Sequence, residues 1–206
     1  RGKKIGIIGY GHIGSQVSVL AENMGMDVFY YDIEPKLPMG NATRVDTLKE
    51  LLSTSDIVTL HVPATPDTYM MIGEEELAQM KEKSILLNLA RGSVVDIEAL
   101  REAINSGHIA GAGIDVYPEE PESKGETFTS ALQNLPNVIL TPHIGGSTLE
   151  AQYNIGLDVS TKLIKLIDNG TTVDSHTVPS LNLPVQKDAH RILHIHENKP
   201  GVLSEI

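Results

Sequence analysis

A glycine-rich turn near the start of the chain has the residue types and the spacing that can hold phosphate groups. Residues Gly9-Tyr10-Gly11-His12-Ile13-Gly14 match the pattern G-x-G-x-x-G, after an apolar strand-like run and before a helical pattern. In this pattern Gly9 permits a tight turn, Gly11 lets the backbone approach a pyrophosphate, and Gly14 allows a helix to pack closely. The helix N-terminus adds unpaired N–H groups and a partial positive charge. The turn predicts a dinucleotide site, with an ordinary glycine-rich turn as the alternative.

An acidic residue at the end of the next strand-like run indicates which dinucleotide would bind. Asp32 lies 18 residues after Gly14 and is followed by Ile33, Glu34 and Pro35, with no arginine directly after it. A carboxylate at this place can accept hydrogen bonds from both hydroxyls of an adenine ribose, and it repels a 2′-phosphate. The cofactor predicted from these residues is therefore NAD rather than NADP, with a plain turn residue as the alternative for Asp32.

The chain alternates short apolar runs with helical patterns, which predicts βαβ units around a parallel sheet. The predicted strands are Lys4–Ile8, Val28–Tyr31, Ile57–His61, Ile85–Asn88, Ala112–Asp115 and Val138–Thr141. The predicted helices are His12–Met24, one that begins near Thr47, Asp96–Ser106, and one from about Ser147 to about Asp168. We therefore predict an α/β fold with a doubly wound parallel sheet of the Rossmann type.

Residues at the predicted helix ends are of types that cap a helix. Thr47–Glu50 and Ser147–Glu150 both have the form of a capping box, and Gly107 and Gly170 follow two predicted C-termini. In the first helix, the apolar residues that repeat at helical spacing are Ile13, Val17, Leu20 and Met24.

Five motifs along the chain occur together, in an order and at a spacing that are specific. They are Gly9–Gly14, Leu60-His61-Val62-Pro63, Asn88-Leu89-Ala90-Arg91-Gly92, Gly113–Tyr117 with Glu119-Glu120-Pro121, and Thr141-Pro142-His143-Ile144-Gly145-Gly146. Over roughly residues 1–170 the sequence resembles the D-2-hydroxyacid dehydrogenases. The resemblance implies transfer of a hydride between NAD and a small 2-hydroxy or 2-keto acid.

The resemblance assigns catalytic roles to His143, Glu120 and Arg91. Histidine is suited to proton transfer because its unperturbed pKa is about 6.5, and a carboxylate on its other ring nitrogen stabilises the imidazolium. Arginine can bind a substrate carboxylate through two parallel hydrogen bonds. All three follow predicted strands, at the edge where ligands bind in open α/β sheets. Glu119 is a competing carboxylate, but the spacing to Pro121 favours Glu120.

The resemblance also implies a set of cofactor contacts that run from the pyrophosphate to the nicotinamide. These residues are Gly9, Gly11, His12, Ile13, Gly14, Asp32, His61, Val62, Pro63, Leu89, Ala90, Arg91, Asp115, His143, Gly145 and Gly146. Asp115 is expected to meet the nicotinamide carboxamide, and its alternative is a strand-end cap.

The last part of the chain resembles the opening of an ACT regulatory domain. We expect an NAD-binding domain at 1–146, a helix returning toward a substrate domain at 147–170, a linker at 171–189 and the ACT-like start at 190–206. By resemblance, His196 and Asn198 match positions that bind the effector L-serine, as an incomplete site. Ile192–His196 alternates like a strand, and Val202–Ile206 is predicted to begin a helix. No metal site is expected, because no cysteine or paired acid completes a set with the histidines.

Composition disfavours several other functions. The chain carries 16 basic and 27 acidic residues, a net charge of −11, which disfavours nucleic-acid binding. It contains no cysteine, as expected in a reducing cytoplasm, and we expect no membrane segment. We also expect a homo-oligomer, dimer or tetramer. The sequence begins at Arg1 and stops at Ile206, early in a new folding unit, so we expect a fragment.

Two other readings of the sequence are open. One is a different enzyme of the same family, such as a glyoxylate or hydroxypyruvate reductase. The other is a dinucleotide-sensing scaffold that resembles a transcriptional corepressor and binds protein partners through this fold.

Overall fold

The computed structural model describes residues 2–121, 127–175, 177–188, 190–197 and 199–202. The chain divides into two compact units, Arg1–His143 and Ile144–Ile206. The first unit contains a parallel sheet with helices, and the second contains one long helix followed by an irregular segment.

The sheet of the first unit has seven strands. They are β1 (Lys4–Ile8), β2 (Asp27–Tyr31), β3 (Thr43–Arg44), β4 (Ile57–Leu60), β5 (Ser84–Asn88), β6 (Ile109–Ile114) and β7 (Val138–Leu140). All neighbours pair in parallel, in the order β3-β2-β1-β4-β5-β6-β7. Because β1 lies between β2 and β4, the winding reverses at that point. The predicted doubly wound parallel sheet is confirmed, and β3 is a strand that the sequence did not predict.

The described residues form five α-helices. They are α1 (His12–Asn23), α2 (Leu48–Thr54), α3 (Glu74–Gln79), α4 (Ile97–Asn105) and α5 (Leu149–Asn169). Short 3₁₀ turns occur at Pro66–Thr68 and Gly92–Val94. Helix α3 was not predicted from the sequence. Among the described helices, not one is both long and apolar enough to cross a membrane.

Helix α1 packs on the sheet through small residues. Gly14, Ser18 and Ala21 are buried, whereas Ile13 and Leu20 are each 63% exposed. The small side chains allow the helix to approach the strands more closely than large apolar ones would. Of the apolar residues at helical spacing in this helix, Val17 packs partly buried against the core, whereas the fully buried positions are the small residues.

The ends of α5 are fixed by local hydrogen bonds. Its N-cap is Thr148, one residue later than the capping box at Ser147 predicts, and the Thr148 hydroxyl accepts the Ala151 N–H at 3.1 Å. At the C-terminus, Gly170 has a φ of 75°, the left-handed conformation that ends many helices. The predicted helix and its terminal glycine are confirmed.

The tail of the second unit is irregular where it is described. The predicted strand at Ile192–His196 is wrong, because these residues carry no strand. A strand requires a neighbouring strand to complete its ladder of hydrogen bonds, and the described tail contains none. The chain is instead joined to α5, since Arg191 Nη1 donates to the Asn169 carbonyl at 2.7 Å. Asn198 and most of the predicted helix at Val202–Ile206 lie outside the described residues.

Candidate active site

The glycine-rich turn lies between the carboxyl ends of β1 and β4. Gly9 has a φ of 90°, and its N–H donates to the Tyr31 carbonyl at 2.9 Å. A Cβ atom at Gly9 would lie 2.5 Å from the carbonyl oxygen of His61, which follows β4. Only glycine fits both conditions. The sequence thus places the turn at the crevice where the winding of the sheet reverses.

The other two glycines of the turn differ in their surroundings. A Cβ atom at Gly14 would lie 2.1 Å from the Gly9 carbonyl oxygen, so this position sets how closely α1 approaches the turn. A Cβ atom at Gly11 would meet nothing within 4 Å. Open space beside a helix N-terminus fits an approaching anion such as a pyrophosphate.

The Asp32 carboxylate is already oriented by the chain around it. Its Oδ2 accepts the Tyr10 N–H at 2.7 Å, and its Oδ1 accepts the Glu34 N–H at 2.9 Å. The acid therefore lies against the glycine-rich turn, although 22 residues separate it from Tyr10. Each carboxylate oxygen has a further lone pair that a ribose hydroxyl can use.

Tyr10, the second residue of the turn, was not singled out by the sequence analysis. It is 3% exposed and stacks on Tyr30, with ring centroids 3.8 Å apart. Its hydroxyl lies 2.7 Å from the Ser18 hydroxyl and accepts the Met39 N–H at 3.1 Å. Tyr10 therefore fixes the turn against α1, β2 and the loop after Asp32. An aromatic residue inside an otherwise glycine-rich turn was the available signal.

The segments that follow β4 and β5 contain other predicted contacts. His61 is half-buried beside Thr59, and burial lowers its pKa, which favours the neutral ring. Val62 is half-buried, and Pro63 and Leu89 are exposed.

A buried amide holds the turn after β5. The Asn88 side chain accepts the Ala90 N–H at 3.1 Å and donates to the Arg91 carbonyl at 3.0 Å. Asn88 is 0% exposed, so both bonds are shielded from water. From the sequence, Asn88 was expected only as the end of a strand and as the first residue of a motif.

The predicted arginine is exposed at this edge. Its Nη1 donates to the carbonyl of the preceding Ala90 at 2.6 Å. Within the described residues, the structure gives Arg91 no hydrogen bond or ion pair with Glu120 or His143.

His143 and Glu120 are brought together although 23 residues separate them in sequence. His143 Nδ1 lies 2.9 Å from Oε1 and 2.8 Å from Oε2 of Glu120. A carboxylate accepts only, so the proton lies on Nδ1 when the ring is neutral, and Nε2 then has a lone pair. This is the geometry of a general base held by an acid.

The environment of Glu120 favours its charged form. Partial burial by itself raises the pKa of this carboxyl group, but hydrogen bonds from His143 and from the Tyr117 N–H lower it more. The net pKa lies below the ordinary value, so Glu120 is ionised at neutral pH.

Asp115 lies directly after β6, beside the histidine segment. Its Oδ1 accepts the Thr141 hydroxyl at 2.5 Å and the His143 N–H at 3.1 Å.

The remaining predicted cofactor contacts lie at α1 and after His143. His12 begins α1, and Ile13 follows it with an exposed side chain. Gly145 and Gly146 belong to the second unit, and their contacts with a nicotinamide stay predictions.

A family profile described as D-isomer specific 2-hydroxyacid dehydrogenase, NAD binding domain, matches residues 1–145. The chain belongs to this family. The resemblance inferred from five motifs is therefore confirmed, and so is NAD as the cofactor of this type of domain.

Relatives and solved structures agree with this assignment. The D-3-phosphoglycerate dehydrogenase of Haemophilus influenzae is 56% identical over 206 residues, 100% of this chain and 50% of that protein. The chain thus spans about half the length of the curated relatives it matches. A glyoxylate reductase from Paecilomyes thermophila has a TM-score of 0.72 and 38% identity, covering 82% of this chain and 51% of that one. The NAD-complexed D-isomer specific 2-hydroxyacid dehydrogenase of Lactobacillus delbrueckii ssp. bulgaricus has a TM-score of 0.72 and 35% identity, covering 82% and 54%.

Proposed function

We propose that the intact protein is an NAD-dependent dehydrogenase that oxidises D-3-phosphoglycerate to 3-phosphohydroxypyruvate, the first step of L-serine biosynthesis. The bifurcated contact of His143 Nδ1 with both carboxylate oxygens of Glu120, at the carboxyl edge of the sheet, carries the reaction type. The substrate is proposed from the 56% identity, over the whole chain, to proteins named D-3-phosphoglycerate dehydrogenase.

The proposed chemistry separates a proton from a hydride at one carbon. NAD, when bound, supplies the acceptor for the hydride. His143 Nε2 takes the proton of the substrate hydroxyl, and the carbon–oxygen bond becomes a carbonyl. Glu120 stabilises the positive charge that the imidazole gains, because its lowered pKa keeps the carboxylate ionised.

Substrate binding is the proposed task of Arg91. Its guanidinium is exposed and donates to the adjacent Ala90 carbonyl, the one hydrogen bond of this side chain within the described residues, and a substrate carboxylate can replace that bond. A bidentate pair with a carboxylate is stronger than a bond to a neutral carbonyl, so the exchange is favourable. In the reverse direction the same side chain polarises the carbonyl of the keto acid.

Replacing the histidine tests the proposal directly. In the full-length protein, His143→Ala is expected to lower kcat for D-3-phosphoglycerate by about 10²- to 10⁴-fold, the usual share of a general acid–base group. The affinity for NAD is expected to change little, because the glycine turn and Asp32 remain. Steady-state kinetics and fluorescence titration with NAD measure the two effects.

A second histidine provides the matched control. His108 lies just before β6, at the amino-terminal edge of the sheet, away from the carboxyl edge that holds His143. Its Nε2 lies 3.0 Å from the Leu77 carbonyl. His108→Ala is expected to keep kcat within about 3-fold of wild type, since only the edge with the cofactor turn carries the reaction. Unchanged turnover in His143→Ala would remove this residue from the mechanism.

Two other functions are distinguished by assays of the same protein. A glyoxylate or hydroxypyruvate reductase would prefer those substrates, and the structural likeness to a glyoxylate reductase at 38% identity makes the comparison necessary. The higher identity to D-3-phosphoglycerate dehydrogenases favours the phosphorylated substrate. A dinucleotide-sensing scaffold would bind protein partners and NAD without dehydrogenation of either substrate.

Regulation and assembly are further parts of the proposal. We propose that residues 190–206 begin an ACT-like domain in which His196 and Asn198 help to bind L-serine, and that the intact protein is a cytoplasmic homo-oligomer. The sequence His194–Gly201 supports the first part. Inhibition of the full-length enzyme by L-serine, and its loss in His196→Ala, would support this role. Light scattering measures the oligomeric state.

A further inference from the structure

We propose that Thr141 is a positioning residue for the catalytic histidine. Its hydroxyl and the Asp115 carboxylate hold the backbone of His143 in the conformation that presents the imidazole to Glu120. This inference rests on the proposed role of His143.

Every polar group of Thr141 bonds to the last residue of β6 or to the segment that follows it. Its N–H donates to the Ile114 carbonyl at 3.0 Å, and its hydroxyl donates to Asp115 Oδ1 at 2.5 Å. Its carbonyl accepts from the Tyr117 hydroxyl at 2.8 Å. The Tyr117 oxygen also lies 3.1 Å from the Ile114 carbonyl. A hydroxyl has one proton, and we assign it to the Thr141 carbonyl because that distance is shorter. Thr141 therefore attaches the end of β7 to the end of β6.

His143 has a backbone conformation that requires such support. Its φ is 49°, in the left-handed region that non-glycine residues adopt infrequently. Its N–H donates to the same Asp115 Oδ1 at 3.1 Å. Pro142 lies between the two donors, which are the Thr141 hydroxyl and the His143 N–H. Because its ring restricts φ, few backbone rotations separate Thr141 from His143. The two bonds to one oxygen consequently determine the direction in which the imidazole leaves the chain. We name Thr141, Asp115 and the His143 N–H the Asp115 clamp.

The clamp leaves part of the carboxylate for another task. In the described part of the chain, the structure gives Asp115 Oδ2 no hydrogen bond, whereas Oδ1 has two donors. Oδ2 is the atom with which Asp115 could meet a nicotinamide carboxamide. One side chain would then contact the cofactor ring through Oδ2 and the His143 N–H through Oδ1.

The test compares Thr141→Val, which keeps the shape and removes the hydroxyl, with Thr141→Ser, which keeps the hydroxyl, in the full-length enzyme. Thr141→Val is expected to lower kcat by about 10- to 100-fold, because small displacements of a catalytic group are costly. KM and Kd for NAD are expected to stay within about 3-fold of wild type, and Thr141→Ser is expected to restore most of kcat.

A readout that does not depend on catalysis is the exchange of the His143 amide. Hydrogen–deuterium exchange of a peptide covering residue 143 is expected to be about 10-fold faster in Thr141→Val than in wild type or Thr141→Ser, because loosening of the clamp exposes the N–H. The control is Thr54→Val, at the end of α2 and the opposite edge of the sheet, where the hydroxyl donates to the Glu50 carbonyl at 2.6 Å. This variant is expected to change neither kcat nor the exchange at residue 143.

The inference is overturned if Thr141→Val retains wild-type kcat and a protected amide. It is also overturned if kcat, Tm and NAD affinity all fall together and serine does not restore them, since that pattern indicates a general structural role. A wild-type enzyme that fails to oxidise D-3-phosphoglycerate would refute the proposed substrate instead, and the exchange comparison would still decide whether the clamp holds His143.

Discussion

At the scale of single residues, the site depends on groups that are oriented before any ligand binds. Asp32 is held by two backbone N–H groups, and Glu120 by the Tyr117 N–H as well as by His143. A side chain that is already oriented loses less conformational entropy when a ligand arrives. Within the described part of the chain, the structure gives no comparable bonds to Glu119, whose sequence position is nearly the same as that of Glu120.

The role of Asp32 can be tested through cofactor selectivity. Asp32→Ala is expected to weaken NAD binding by about 10- to 100-fold, the effect of losing hydrogen bonds to a charged group, and to reduce discrimination against NADP. Fluorescence titrations with both dinucleotides measure the change. Asp32→Asn is the companion variant, because it keeps an oxygen for one of the two N–H groups and removes the charge together with the second acceptor. Equal NAD affinity in Asp32→Ala and wild type would contradict the assignment.

The sequence predicted that His143 and Glu120 form a pair, but it did not predict the contacts around them. The motif order gave His143 and Glu120, and the rule that parallel strands end at one edge explains why residues 23 apart in sequence can meet. The bond from Thr141 to Asp115 was not predicted, because it depends on the left-handed backbone at His143. That conformation arises from tertiary contacts, for which a single sequence carries no periodic signal.

At the scale of secondary structure elements, the apolar runs predicted six of the seven strands to within three residues at each end. The strand β3 was missed because its two residues, Thr43 and Arg44, are polar and too few for alternation to be recognised. Helix α3 was missed because it opens with three consecutive glutamates and has one buried side chain, Leu77. Both errors concern elements whose stability comes from neighbours rather than from their own pattern.

The glycines of the cofactor turn give a prediction about the contact between α1 and β1. Gly14→Ala places a Cβ atom 2.1 Å from the Gly9 carbonyl, so the helix must shift. We expect a loss of about 1–3 kcal/mol in the free energy of unfolding, measured by urea denaturation. Gly11→Ala is the matched variant, since its Cβ meets nothing within 4 Å. It is expected to retain stability and to weaken NAD binding, because the methyl group occupies the approach to the helix N-terminus. Equal stability of the two variants would refute this account.

Asp56 lies at the amino-terminal edge of the sheet, where its charge stabilises β1, β4 and β5. Its titration makes the free energy of unfolding depend on pH. Asp56 accepts the Lys4 N–H at 2.8 Å and the Lys81 ammonium at 2.6 Å, and its carbonyl accepts the Ile85 N–H. The backbone hydrogen bond from Lys4 and the side-chain bond from Lys81 lower the pKa of Asp56. A group whose folded pKa is lowered stabilises the fold above its ordinary value, about 3.9, and this contribution is lost as the pH falls through the lowered pKa.

Asp56→Asn is therefore expected to reduce the free energy of unfolding by about 1–2 kcal/mol at neutral pH, and the difference from wild type is expected to shrink below about pH 4. Denaturant unfolding across the pH range measures it. Asp67→Asn, at an exposed position in a 3₁₀ turn, is the control and is expected to have little effect. A difference that grows on acidification would contradict the sign of this prediction.

At the scale of the whole molecule, the chain contains the cofactor turn and the histidine–glutamate pair but spans about half the length of its curated relatives. In the described part, α5 has no buried residue although it carries many apolar ones, such as Leu149 and Ile167 at 83% and 74% exposure. Exposed apolar surface on this scale is typical of a face that another part of a protein covers.

Because the chain contains the cofactor turn but spans about half the length of its relatives, we predict different outcomes for NAD binding and for substrate turnover. The 206-residue chain produced alone is expected to bind NAD within about 10-fold of the full-length affinity, because the turn, Asp32 and the sheet are present. Its kcat/KM for D-3-phosphoglycerate is expected to be lower by at least about 100-fold, since Arg91 alone cannot orient a phosphorylated substrate. Calorimetry with NAD and steady-state assays of both proteins measure these quantities, and full turnover by the short chain would refute the second expectation.

The left-handed backbone at His143 also determines how an inactive enzyme should be made. Asparagine adopts this region more readily than alanine or any β-branched residue, so His143→Asn deletes the imidazole while preserving the path of the loop. Such a protein would capture substrate and NAD in an unreacted ternary complex suitable for crystallisation. Valine or isoleucine at the same position would instead distort the loop, and the loss of activity would report on geometry as much as on chemistry.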